Sequence, residues 1–349
     1  MPRSPKPVVV RKGYLAKRRI EKWKAKTEKG VITKRKRKES WRVRPVIKHE
    51  VPPKNKIVLR DAQDRVLLEM PKKEYERHKV LPMPSERRFS VLREGLYPPE
   101  AAKHPARMNP LWAQAMVQLW SDKGDVILDP MAGIGTTGAE ALRLGRKPVL
   151  VDIEPKWTRI AKKVLDTVKH VMRKRGVKVP DGVVITGDAT KLEKVLPPKL
   201  RKDVDVVMFS PPYAHEATSG GYTTIKGGKK LYYIEYGRGK KQIGKIRNPS
   251  KYAQLMLSVY KSIFRVLEPG ELMVVNVKNR ILRGKELRLD TMTKRLAKQA
   301  GFKYIGQKKV YAPPTFFRAL YERKNPKAPK IRHERFLVFV RPRIRRRAS

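Results

Sequence analysis

Hydrophobic and polar positions alternate in a regular order from about residue 104 onward. Short apolar blocks at 126–129, 149–151, 183–186, 204–209, 272–277, 304–310 and 336–340 read as strands. Apolar residues at helical spacing fill the intervals at 110–120, 136–144, 155–173, 250–267 and 290–300. Near-continuous runs of Val, Ile and Leu that alternate with helices predict an α/β protein. Its seven strands form a mostly parallel sheet, covered by helices on both faces. No helix separates the last two strands, so an antiparallel edge pair is expected there. Upstream, residues 57–70 read IVLRDAQDRVLLEM, two apolar runs around a polar turn, which predicts a hairpin followed by a short helix at 71–79. The segment is too small for a core of its own and is expected to pack on the larger domain after it. The pattern divides the chain into an arm at 1–50, a small extension at 51–100 and a main domain at 101–349 with an insertion at 214–249.

Composition changes the picture first through charge. The 349 residues carry 84 Lys and Arg against 32 Asp and Glu, a net charge of +52. That excess is far beyond what solubility needs and points to a polyanionic partner, most simply nucleic acid. Residues 1–48 hold 19 Lys or Arg against three Glu, with Tyr14, Trp23 and Trp41 among them. Aromatic faces between cations suit stacking on bases, against the plain alternative of a solvated arm. The chain has no cysteine, which excludes disulfides, thiolate zinc sites and a cysteine nucleophile, and no metal is expected. Neither a run of about 18 apolar residues nor an apolar stretch behind the basic N-terminus occurs. An intracellular, cytoplasmic protein is expected. High charge without cysteine also fits a heat-adapted source.

The most informative stretch is DVILDPMAGIGTTGAE at 125–140. A strand ends at Asp129, a loop of small residues comes next, and a helix starts near Thr136. Glycines let the backbone turn sharply and approach a ligand, and a helix N-terminus offers unpaired N–H groups. Asp152 closes the next strand, placed to accept the hydroxyls of a ribose. As a bare pattern, Gly133, Gly135 and Gly138 match the dinucleotide fingerprint, which makes a nicotinamide enzyme the obvious alternative. Here, however, Asp129-Pro130-Met131-Ala132 separates the strand from the first glycine. An acidic group in that place repels a pyrophosphate and suits a sulfonium or an amino group. S-adenosylmethionine carries both.

The block at 204–209 runs into Ser210-Pro211-Pro212-Tyr213. Two prolines fix the backbone and remove donors, leaving carbonyls to accept. With a serine hydroxyl and a tyrosine face they form a clamp for a planar amino base, against the alternative of an ordinary proline turn.

Taken together, these residues resemble the amino-methyltransferases that modify the exocyclic nitrogens of cytosine or adenine. The matching elements are His104-Pro105-Ala106, DPMAGIGTTGAEALRLGR at 129–146, VDIEP at 151–155, GDAT at 187–190 and SPPY at 210–213. The resemblance implies a Rossmann-like sheet and S-adenosylmethionine as cofactor. It implies that His104, Asp129, Met131, Ala132, Gly133, Gly135, Thr136 and Thr137 surround the donor, with Asp152, Ile153, Asp188 and Ala189. Ser210, Pro211, Pro212 and Tyr213 would hold the target base. Serine at the head of the tetrapeptide is the cytosine N4 form. In many bacterial DNA enzymes of that type the tetrapeptide precedes the donor loop, whereas here it comes after. Other DNA amino-methyltransferases share this order, which removes only the closest restriction-type precedent; the charge of +52 favours RNA, ribosomal above all, as in an archaeal ribosomal RNA enzyme.

The insertion at 214–249 mixes seven glycines with Tyr222, Tyr232, Tyr233, Tyr236 and a set of lysines and arginines. Its place after the tetrapeptide suits substrate contact, with phosphates on cations and bases on tyrosines. Two alternatives stay open from the sequence. One is a DNA N4-cytosine or N6-adenine enzyme; the other is a basic nucleic-acid-binding protein that keeps the fold without turnover.

Overall fold

The computed structural model describes residues 51–62, 64–84, 95–104, 107–212, 222–224, 230–232, 243–246, 248–282, 285–312, 322–327 and 329–343. All of them lie in the unit Ile47–Ser349. The basic arm, Tyr213 and most of the 214–249 insertion lie outside the described residues.

The chain opens with β1 (Lys56–Arg60), β2 (Val66–Pro71), α1 (Lys72–Arg77) and β3 (Val80–Leu81). Next come α2 (Pro110–Trp120), β4 (Val126–Asp129), α3 (Thr136–Arg143), β5 (Lys147–Asp152), α4 (Pro155–Lys174) and β6 (Val183–Thr186). Short helices α5 (Leu192–Val195) and α6 (Pro198–Lys202) lead to β7 (Val206–Phe209). Two small hairpins flank the next helix and strand: β8 (Tyr222–Thr224) with β9 (Lys230–Tyr232) before α7 (Pro249–Val266) and β10 (Leu272–Val277), and β11 (Arg280–Leu282) with β12 (Lys285–Leu287) after them. Helix α8 (Leu289–Gln299) and strands β13 (Lys303–Tyr311) and β14 (His333–Val340) complete the order.

Eight strands form the main sheet in the order β3-β13-β14-β10-β7-β4-β5-β6. From β10 to β6 the pairs are parallel, while β14 runs antiparallel to both β10 and β13. The seven strands expected from hydropathy are all present. The eighth, β3, comes from the extension and pairs with β13 through two residues, Val80 and Leu81, too short to leave a periodicity. The expected antiparallel pair forms, but β14 lies inside it and β13 toward the edge. The strand order reverses between β4 and β7, where the chain leaves β4 for β5 and later returns to the opposite side. Such a switch opens a crevice at the carboxyl ends of the strands.

Each helix shows why its sequence folds. Asn109 caps α2 by accepting from Leu111 N at 2.9 Å, and Pro110 takes the first helical position. Asn248 and Pro249 repeat the device on α7. Helix α4 buries Trp157, Ile160, Ala161, Val164, Leu165, Val168 and Met172, one stripe at helical spacing. Helices α7 and α8 cover one face of the sheet over Val207, Phe209, Met273 and Val275. Helix α2 covers the other face over Ile127, Met208, Val274 and Phe336, and α3 and α4 continue that layer over Leu150.

The hairpin docks on α2 through two glutamines one turn apart. Gln118 exchanges hydrogen bonds with Val58 N and O at 2.8 and 2.9 Å. Gln114 does the same with Arg60 N and O at 2.9 and 2.8 Å. Side-chain amides thus complete the edge of β1 as a neighbouring strand would. A buried ion cluster fixes the hairpin turn: Arg143 of α3 bonds Glu140 at 2.9 Å and Asp64 at 2.8 Å, and Arg175 also reaches Asp64. Among the described residues no helix is long and apolar enough to cross a membrane.

Candidate functional site

The crevice at the strand switch is a cavity of about 670 Å³. Its first wall is the loop after β4. Gly133 and Gly135 both adopt positive φ, +52° and +81°, which turns the chain from Asp129 into α3. Gly135 N bonds Ala132 O at 2.8 Å and Ala132 N bonds Val151 O at 3.0 Å, so the loop is braced on β5. A side chain at Gly133 would stand 3.0 Å from His104 Nε2. His104 closes over the loop, and a Cβ there would press on its ring. Its ring meets Trp157 edge-on with centroids 4.5 Å apart.

Three carboxylates line this end: Asp129, Asp152 and Asp188. Asp129 is 3% exposed, and its Oδ1 accepts from Met131 N at 3.0 Å. Burial pushes its carboxyl up to about 7, against the opposing pull of the hydrogen bonds from Met131 and the Thr137 side chain; the nearby Asp152 charge adds to the rise. Asp152 accepts from Gly133 N through Oδ2 at 2.8 Å and from Glu154 N through Oδ1 at 3.0 Å. Burial holds it up at about 6 even so. Each of its oxygens keeps a second lone pair, enough for two hydroxyls. Asp188 caps the turn Ala189–Lys191, with Oδ1 accepting from Thr190 N at 2.9 Å and from its hydroxyl at 2.7 Å.

The wall continues with residues at the ends of β7, β10 and β14, the strands next to β4 in the sheet. Ser210, Pro211, Pro212, Asn276, Lys278 and Glu334 line it. Ser210 Oγ donates to the main-chain carbonyl of Asn276 at 3.2 Å. Its proton is thereby committed, and toward the cavity the oxygen offers lone pairs. The Pro212 carbonyl accepts from the Tyr252 hydroxyl at 3.0 Å and keeps a second lone pair.

Of the residues expected around the donor, His104, Asp129, Met131, Ala132, Gly133, Thr136, Thr137, Asp152, Ile153, Asp188 and Ala189 line this one cavity. Gly135 does not. A side chain there would meet Leu150 Cδ1 at 3.0 Å and Ala161 Cβ at 3.2 Å, so this glycine serves the turn and the packing of α3 and α4 on β5. Tyr213 lies outside the described residues. Asn276, Lys278 and Glu334 were not anticipated. Asn276 left a signal, a polar residue inside the apolar run LMVVNV. Glu334 left none, because the apolar block of its strand starts after it.

Buried acids of raised pKa facing a cavity suit a cationic ligand, whose charge offsets their burial. The donor expected from the sequence fits that wall, with ribose acceptors at Asp152 and a cation partner at Asp129.

Comparison with known proteins agrees over part of the chain. Residues 8–163 match the N6_N4_Mtase family, described as DNA methylase. This match takes in the carboxylates at 129 and 152 and ends before Ser210; it implies S-adenosylmethionine as the cofactor. The Type II methyltransferase M2.DpnII of Streptococcus pneumoniae is 39% identical over 66 residues, 19% of this chain and 25% of that protein. A tRNA (guanine(10)-N2)-dimethyltransferase of Methanothermobacter thermautotrophicus is 32% identical over 124 residues, 35% of this chain and 32% of that protein. The chain thus spans about a quarter to a third of the length of these relatives. Among solved structures, TrmN from Thermus thermophilus aligns with 70% of this chain and 52% of its own at 19% identity, with a TM-score of 0.38.

Proposed function

We propose, from the family match of residues 8–163 as premise, that this protein methylates the exocyclic N4 amine of cytosine in RNA, ribosomal RNA above all, with S-adenosylmethionine as donor. The observation that carries the reading is Ser210, turned into an acceptor by its bond to Asn276 in the same cavity as Asp129 and Asp152. An amino group has protons to give and a carbonyl has none, so an acceptor there selects an amine.

When bound, the donor supplies a sulfonium methyl, already activated for transfer. The chain's own residues then have little bond chemistry to do. Asp129 and Asp152 hold the charge and the ribose. Ser210 takes a hydrogen bond from the target amine, which draws its lone pair out of conjugation with the ring and toward the methyl. Pro211 and Pro212 keep that wall rigid. Positioning and charge complementarity of this kind account for most of the acceleration in such a transfer.

Cytosine is favoured over adenine by serine at the head of the tetrapeptide. RNA is favoured by the net charge of +52 and by the archaeal relative named for a tRNA amine. The family description, DNA methylase, favours DNA as the second reading. The test is to incubate the protein with labelled donor and either ribosomal RNA or genomic DNA, and to identify the methylated nucleoside by mass spectrometry. N4-methylated cytidine from RNA is expected. Methyl on adenine overturns the base assignment, methyl on DNA alone the choice of RNA, and donor binding without transfer the assignment of an enzyme.

A further inference from the structure

The sheet continues past the cavity. Strands β14 and β13 lie beyond β10, and their ends at this edge carry a second cluster of side chains. Tyr311 pairs with His333, and Lys309 with Arg335, directly across the antiparallel ladder. Side chains alternate along a strand, so these four share one face, while Val310 and Glu334 between them point to the other. Glu334 lines the cavity, so His333 and Arg335 each stand one residue from its wall. Leu337, on the same face of β14 as His333, is packed in the core with α7 and α8. Tyr311 is 50% exposed, so the cover ends between the two.

The Tyr311 and His333 rings meet edge-on with centroids 6.1 Å apart, and with half of its surface open Tyr311 has room for a further ring. Like charges directly opposite one another destabilise an antiparallel pair, and Lys309 faces Arg335 in this way. Arg335 Nε lies 3.5 Å from Asp290 Oδ2, whereas Lys309 has no ion-pair partner among the described residues. Arg332, next to His333, bonds Glu322 at 3.0 Å, so that acid is taken too. Burial holds the His333 ring below its ordinary value, and the Lys309 and Arg335 charges lower it further. An aromatic pair thus sits in a positive field, at a cost to the fold that an anion would offset.

We propose that Tyr311, His333, Lys309 and Arg335 form a plate for a single-stranded stretch of nucleic acid next to the target nucleotide. A base stacks on the Tyr311 ring, and phosphates lie on the two cations. The inference rests on the reading of the neighbouring cavity as a site of methyl transfer to a nucleic acid. Stacking on a side chain needs a base already out of its helix, which is why the plate takes a single strand. Charge complementarity favours this occupant over a protein, because the plate offers cations around an aromatic face and no apolar groove.

The experiment compares wild type with Tyr311→Ala, Tyr311→Phe and Lys309→Met in the full chain. Each is titrated into an end-labelled single-stranded RNA oligonucleotide and into an abasic strand of the same length, over a range of salt. Thermal melts and donor affinity by calorimetry show that the variants are folded. High salt weakens the phosphate contacts that a chain of net charge +52 makes elsewhere, so the stacking term is read there. Y311A is expected to bind the RNA about 5- to 100-fold more weakly and the abasic strand as wild type does. Y311F keeps the ring and should bind both as wild type. K309M should flatten the salt dependence on both strands by about 0.7 in the slope of log K against log salt, one phosphate contact on a single strand. Wild-type RNA affinity in Y311A overturns the proposal, and so does an equal loss on both strands, since neither involves a base on the ring. An unchanged slope in K309M overturns the phosphate contact. The reading of the cavity is judged apart from this: it fails if wild type transfers methyl to neither RNA nor DNA, whatever the strand contrast shows.

Discussion

The Ser210 hydroxyl stands 3.2 Å from the main-chain oxygen of Asn276 and donates to it. The bond joins the ends of neighbouring parallel strands, since Val206–Phe209 pairs with Leu272–Val277. It converts a group that can donate or accept into one that accepts toward the cavity.

Ser210→Ala removes that acceptor and leaves the strand ends unchanged. Methyl transfer is expected to slow by about 10- to 1,000-fold, the effect of one positioned hydrogen bond worth roughly 1–4 kcal/mol in the transition state. Donor affinity by calorimetry should stay as in wild type. Loss of donor binding would place Ser210 in the cofactor wall instead.

The buried acids make stability and donor binding depend on pH in opposite directions. Their carboxyls ionise from a usual value of 3.8 and are pushed by burial up to about 7 at Asp129 and about 6 at Asp152. Between the usual and the raised values the folded protein holds more protons than the unfolded chain. Stability is thus full below the lower limit and falls as pH rises through the window. A cationic donor needs these groups ionised, so its affinity should rise from about pH 5 to about pH 8, with protons released on binding. Calorimetry in buffers of different ionisation enthalpy measures the release. S-adenosylhomocysteine, which lacks the sulfonium charge, should show a weaker dependence.

The two loop glycines should separate cleanly. Alanine at either costs about 1–2 kcal/mol from the left-handed backbone, and thermal melts should show both losses. Only Gly133→Ala pushes on His104 at the cavity wall, so only it should also weaken donor binding. Gly135→Ala presses on Leu150 and Ala161 in the core. Equal donor affinity in the two variants would contradict the division.

Arg143 is buried between Glu140 and Asp64, both fully enclosed. Arg143→Met leaves the buried Glu140 without its cation and Asp64 with Arg175 alone, and a loss of about 3–5 kcal/mol is expected. Arg143 also donates to the Asp61 carbonyl in the hairpin turn at 2.6 Å. Hydrogen exchange at Ile57–Leu59 should therefore quicken more than at Val206–Phe209. Uniform quickening would mean that the cluster holds the whole unit and not the hairpin in particular.

Local pattern alone determined seven of the eight strands of the main sheet, the main helices and the hairpin at 57–70, because buried faces impose periods of about 2 and about 3.6 residues. It also marked Asp129, Gly133, Asp152 and Ser210 as chemistry, since acids and glycines at strand ends have few other uses. Tertiary structure decided the rest. Only the fold shows that Gly135 packs against Leu150 while Gly133 faces His104, for the two look alike in a glycine-rich loop. Only strand pairing brings Glu334 beside Asn276, 58 residues away in sequence. Which proton a serine gives up, and which way an amide points, depend on partners that distant strands supply. No window of local sequence contains them.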